Sequence, residues 1–334
     1  MKTLYEYATE MMTLSIEKYL ELARVSNGFS ALANIDMSAI DNREMLLSGK
    51  SLEVREDPPE SIYQNLERVK AIDFDVEKGV SFFVYKRSRK YILELVAEAR
   101  EITNNYSRIS ASEIKDRAYL LPIWQAALSI SSKSNLKTIF GSASDHTISK
   151  PSAEKIADYA NDFFAKNKIS DIQIIERVER TLEGIVRDLV GRLLLESVVR
   201  NALEKTGVPF LEESQYNGID GVIYKIRADF VIPNEKEPLA FIEVRKSSSR
   251  HASLYAKDKM FSAINWKGKH KKMLGIIVTE GEWTNESLVT MSKVFDYVVP
   301  LSSSEELARN IKKYLDGDDS ILKWIINFTI TPNK

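Results

Sequence analysis

A chain of 334 residues, 44% apolar and 28% charged, has the composition of a globular protein and the length of two domains. A formal net charge of −1 offers polyanions no global attraction, and the lack of cysteine excludes disulfides, thiolate metal sites and cysteine catalysis. No apolar run reaches membrane-span length, MKTLYEYATEMMTL lacks a secretory apolar core, and no glycine-rich phosphate loop or internal repeat occurs, so a cytoplasmic protein without nucleotide-driven work is expected.

In chain order, residues 1–128 carry mostly helical periodicity, over 1–25, 59–71, 90–103 and 112–128, with a strand expected at 78–85 (KGVSFFVY). Hydrophobicity falls over the serine-rich stretch 129–134 and again over 141–151 (GSASDHTISKP), which places a domain boundary near residue 150. Residues 1–150 form a mostly helical domain on this reading, and 151–334 a second one. A helix from Pro151 to Ala165 bridges them.

Residues 173–205 place Ile174, Val178, Leu182, Ile185, Val186, Leu189 and Leu193 at helical spacing, and Gly207 suits a left-handed stop with Pro209 beyond it. A short turn and strand follow at 218–224 (GIDGVIY), then two strands joined by a polar turn within RADFVIPNEKEPLAFIEVRKSSS, residues 227–249. A helix is expected at 252–266 and a strand covered on both faces at 273–279 (MLGIIVT). A helix at 286–295, a strand at 297–301 and a helix capped by Ser304 or Ser303 complete the chain. The order is α-β-β-β-α-β, then α-β-α.

The hairpin carries the chemistry. Asp229 is followed by Phe230, Val231 and Ile232, and Glu243 lies among Phe241, Ile242 and Val244. A carboxylate in such surroundings is costly unless compensated. A turn centred near residue 236 sets Asp229 opposite Glu243, and directly paired strand residues have Cβ atoms about 4.5–5.5 Å apart. Converging carboxylates suit a hard divalent cation such as Mg2+. Glu243 and Arg245 share a face, while Lys246 points to the other unless the strand end twists. Asp220, between glycine-flanked turn residues, is the runner-up for the first acid. His146, His251 and His270 are too scattered for a zinc site.

Asp229 followed by Glu243-Val244-Arg245, within that element order, resembles the PD-(D/E)XK phosphodiesterase superfamily, which includes most type II restriction endonucleases. The resemblance implies an α/β (α+β) fold with an α-β-β-β-α-β core, a mixed central sheet flanked by helices, and a mostly helical N-terminal domain added to it. It implies Mg2+-dependent hydrolysis of DNA phosphodiester bonds, with Mn2+ as a substitute metal. Asp229 and Glu243, and Glu196 on the long helix, would then hold metal. Arg245 stands where the family has lysine. It offsets phosphate charge but stays protonated, and Lys246 would have to take over any proton-transfer role.

Local charge agrees with a polyanionic partner. The window 245–272 holds Arg245, Lys246, Arg250, Lys257, Lys259, Lys267, Lys269, Lys271 and Lys272 against Asp258 alone. Arg250, His251, Lys257, Lys259, Lys267 and Lys269 are the candidate DNA contacts, with Ser247 to Ser249 beside them. A second basic cluster runs over 86–90 (KRSRK). The expected protein is a type II-like restriction endonuclease, a homodimer matched to a two-fold DNA site. A structure-specific repair or recombination nuclease and a catalytically decayed DNA-binding protein are the alternatives.

Overall fold

The computed structural model describes residues 1–26, 29, 31–55, 57–69, 71, 74–247, 251–327 and 330–331. They form two compact units, Met1–Val190 and Gly191–Lys334. Among the described residues no helix is long and apolar enough to cross a membrane.

The first unit is helical: α1 Leu4–Val25, α2 Ile40–Gly49, α3 Pro59–Arg68, α4 Val76–Ile102, α5 Ala111–Asp116, α6 Leu121–Ala127, α7 Lys133–Phe140, α8 Lys150–Lys166 and α9 Asp171–Leu189. Helix α1 starts from a capping box in which Thr3 and Glu6 satisfy each other's backbone amides. The strand expected at 78–85 is instead the start of α4. Val80, Phe83, Val84, Tyr91, Ile92 and Leu95 are buried at helical spacing, and the Asp75 carboxylate caps the helix at Lys78 N. Eight residues with paired apolar positions are too few to separate the two periods.

The basic cluster 86–90 therefore lies on a helix. Lys86 pairs with Glu44, Arg87 with Asp41 at 2.8 Å and Arg89 with Glu179 at 3.1 Å. The single helix expected at 112–128 is broken into α5, a 3-10 turn at Ala118–Leu120, and α6, which Pro122 opens.

The division between units falls at Val190 rather than near residue 150. Asn161 of α8 exchanges two hydrogen bonds with the Ile109 backbone, at 2.8 and 3.0 Å. Arg177 of α9 donates to Ala126 O at 2.7 Å. Both helices thus belong with the N-terminal ones, and the polar stretches on either side of α7 are turns within one unit.

Five π-helical residues, Val190–Leu194, lead into α10 Leu195–Thr206 of the second unit, which ends at Gly207 with φ 66° and ψ 30°. There follow β1 Leu211–Glu212, β2 Ile219–Asp220, β3 Lys225–Ile226, β4 Phe230–Ile232, β5 Ala240–Ser247, α11 Ala252–Lys269, β6 Leu274–Gly281, α12 Asn285–Met291, β7 Tyr297–Pro300 and α13 Ser304–Leu315. The main sheet has the order β1-β4-β5-β6-β7. Its β1–β4 and β4–β5 pairs are antiparallel, and β5–β6 and β6–β7 parallel. The protein is thus mixed α/β, with helices on both faces of a mixed sheet.

Alternation along β5 builds two cores. Ala240, Ile242 and Val244 pack with Leu195, Val199, Leu307 and Ile311 from α10 and α13. Phe241 packs on the other face with Ala256, Ala263, Trp266 and Met291 from α11 and α12.

Two expectations need correction. Residues 218–224 contribute no strand to the main sheet; β2 pairs with β3 in a separate two-stranded hairpin. The strand at that edge of the main sheet is β1, whose two half-buried residues show no periodicity. Asn265, fully buried on α11, clamps the hairpin turn: Oδ1 accepts from Ile223 N at 2.8 Å and Tyr224 N at 3.3 Å, and Nδ2 donates to Tyr224 O at 3.0 Å. Gly221 is needed there, since a Cβ would lie 1.9 Å from Asn265 Nδ2. Second, neither serine caps α13 with its side chain, because a 3-10 turn, Leu301–Ser303, runs straight into the helix and Ser304 Oγ donates to Leu301 O.

Candidate active site

The β4–β5 register pairs Phe230 with Ile242, Val231 with Phe241 and Ile232 with Ala240. One step further sets Asp229 across from Glu243, where a turn centred near residue 236 puts it. Asp229 is 6% and Glu243 1% exposed. The approach to β4 is fixed by Tyr216, whose hydroxyl accepts from Ala228 N and donates to Ala228 O. Burial pushes that phenol above its ordinary pKa.

Asp229 is well supplied. Its Oδ2 accepts from Val244 N at 2.7 Å and from Arg245 Nη1 at 3.2 Å. Glu243 is not. Arg245 Nη2 stands 3.1 Å and Lys259 Nζ 2.9 Å from its Oε2, yet neither oxygen of this carboxylate has an aligned hydrogen bond, and both are fully buried. Burial first, and then repulsion from Asp229, raise the Glu243 pKa to about 7 against the pull of Lys259 and Arg245.

Arg245 bridges the two acids and also donates to Val244 O at 2.8 Å. Burial opposes its charge, but Glu243 and Asp229 outweigh burial and hold it more firmly protonated than a free arginine. By strand alternation Lys246 lies on the face of Val244, opposite to that of Glu243.

Glu196, half-buried on α10, lies near enough to Asp229 and Arg245 to feel both. Desolvation, then repulsion from Asp229, raise its pKa to about 7. Yet among the described residues no three histidine or acidic side chains stand together as a metal-binding group. The candidate donors are Asp229 and Glu243, with Glu196 close enough for its charge to couple to that of Asp229. Two hard carboxylates, one with an unpartnered buried oxygen, fit Mg2+, which is commonly held by one or two carboxylates with water and phosphate oxygens completing its shell.

The basic strip separates by position. Lys267 is fully buried, its ammonium paired with Asp296, so it is withdrawn as a DNA contact; α11 turns it inward against the sheet. Lys259 turns inward to Glu243 and is 14% exposed. Lys269 lies 3.4 Å from Asp220, on the β2–β3 hairpin. Lys271 donates to Ile326 O and Lys272 pairs with Asp319. Lys257 and His251 are exposed at the N-terminal end of α11, and Arg250, with Ser248 and Ser249, lies outside the described residues.

Sequence reasoning placed Lys259 on a phosphate instead of on Glu243. The available signal was spacing, since Ala256, Lys259, Ala263 and Lys267 recur at three- to four-residue intervals along one helix face. Asp296, within VFDYVV, was missed although it carries the same signal as Asp229, an acid among apolar strand residues. Comparison with protein-family models, with curated proteins and with solved structures finds no match for this chain.

Proposed function

We propose that this chain is a Mg2+-dependent endonuclease that hydrolyses DNA phosphodiester bonds, and that it acts as a type II restriction endonuclease on a two-fold site as a homodimer. The single observation that carries the reading is Glu243: a buried carboxylate in the middle of an apolar strand, opposite Asp229, with an oxygen that no group among the described residues satisfies. Such an arrangement destabilises the fold unless a ligand completes it.

On this reading Asp229 and Glu243 hold the cation, with Asp229 fixed by the Val244 amide. A bound divalent cation lowers the pKa of a coordinated water and offsets charge on the phosphate. Arg245 positions both carboxylates and presents its partly exposed guanidinium to the phosphate. Lys259 adds a second positive charge. Lys257, His251 and Arg250 follow the active strand in sequence and are assigned to the DNA backbone.

One observation favours a second reading. Arg245 reaches both acids at once, which compensates them in part without metal and suits a DNA-binding protein that has lost catalysis.

Cleavage of unmethylated phage DNA in Mg2+ and in EDTA, wild type beside Glu243→Ala, separates the two. Discrete Mg2+-dependent bands absent from the variant support the nuclease; DNA binding without cleavage in Mg2+ or Mn2+ supports the second reading.

A further inference from the structure

We infer that Lys259 is a placeholder at the acidic pair: its ammonium occupies Glu243 Oε2 in the cation-free protein and leaves that oxygen when a divalent cation binds. The inference rests on the assignment of Asp229 and Glu243 as cation ligands, and it concerns which of the two neighbouring positive charges gives way.

Both cationic side chains converge on one oxygen, Oε2, while Oε1 has no partner. A divalent cation held by Glu243 would share that oxygen with two fixed positive charges, and like charges at a few ångströms in a buried site repel strongly. One of them has to move.

Arg245 is anchored. It sits on the central strand β5, donates to Val244 O at 2.8 Å and also grips Asp229 Oδ2 at 3.2 Å. Its guanidinium keeps two contacts if Glu243 is taken away. Among the described residues Lys259 has no comparable anchor. Its ion-pair partners are Glu243 and, at 4.0 Å, the carboxylate of its chain neighbour Asp258, which is 69% exposed. A four-carbon stem with freely rotating bonds lets the ammonium swing from the buried oxygen toward the exposed one.

The placeholder has two consequences. It limits the repulsion between Glu243 and Asp229 while the cation is absent, so the unit folds before it is loaded. It also releases an ammonium toward solvent only once the cation is in place, which ties one positive charge available to a bound anion to cation occupancy.

The test is calorimetric titration of Ca2+ into the full chain without DNA, using wild type, Lys259→Met, Lys259→Arg and Glu243→Gln. The expected result is Ca2+ binding about tenfold or more tighter in Lys259→Met than in wild type, wild-type affinity in Lys259→Arg, and no binding in Glu243→Gln. Lys259→Gln gives the same tightening if the methionine variant does not fold. Equal or weaker binding in the neutral variants, with Glu243→Gln still inactive in binding, overturns the placeholder and leaves the ligand assignment standing. Undiminished binding by Glu243→Gln, or no Ca2+ binding by any of the four proteins, overturns both.

Discussion

Helix α11 sends two lysines inward to two buried carboxylates, and the two clusters are finished differently. At the far end of the helix, Lys267 meets Asp296, and every lone pair of that acid is used. Asp296 Oδ2 also accepts from Gly275 N at 2.7 Å, and Oδ1 accepts from Lys323 N and Trp324 N at 2.8 Å each. Gly275 leaves room for the lysine stem, since a Cβ there would come within 3.2 Å of Lys267 Cδ. Two turns earlier, Lys259 meets Glu243, where one oxygen has no partner and the second acid stands opposite. A satisfied buried pair ties segments together, in this case α11, β6 and the chain after α13. An unsatisfied one destabilises the fold, and its unused oxygen is the one the proposed cation would take.

The largest expected effect is on the finished cluster. Lys267→Met leaves the Asp296 charge buried without its cation and lowers stability by about 3–5 kcal/mol; denaturant unfolding in EDTA measures it, and a loss below about 1 kcal/mol would remove the contrast. The Glu243 cluster responds with the opposite sign. Its carboxyl has a pKa of about 7 in the folded chain against 4.5 when exposed, so the folded state binds its proton more tightly. That contribution is fully present below about pH 4.5 and is lost as pH rises through 7. Glu243→Gln, which has no proton to lose, is therefore more stable than wild type at pH 8 by up to about 3 kcal/mol, a gain that disappears near pH 4. Unfolding curves in EDTA at pH 4, 6 and 8 test it; a difference independent of pH contradicts the assignment.

Smaller effects sharpen the comparison. Asn265→Ala removes three hydrogen bonds from the β2–β3 hairpin and costs about 1–3 kcal/mol, seen in amide exchange as early opening of residues 219–226. Arg87→Ala, at a solvent-exposed pair with Asp41, changes the unfolding midpoint by less than about 1 kcal/mol.

The acidic pair was legible because a hairpin fixes its own register. Once the turn is placed near residue 236, Asp229 and Glu243 follow by counting. The long helical pattern and its stop at Gly207 were legible for a similar reason, since the signals are local and repeated. Elements that depend on distant partners were not. Residues 78–85 become helix because Asp75 caps them and α4 carries the same buried stripe for 27 residues. β1 is two residues long and exists only through its pairing with β4. Lys267 counted as a basic residue in a linear window, whereas its role follows from which face of α11 it occupies.

The most direct test of the contrast is to measure unfolding and DNA cleavage on one preparation of Glu243→Gln beside wild type at pH 8. The account predicts a protein more stable than wild type in EDTA that makes no Mg2+-dependent cuts. A variant that is less stable, or that cleaves as wild type does, contradicts it.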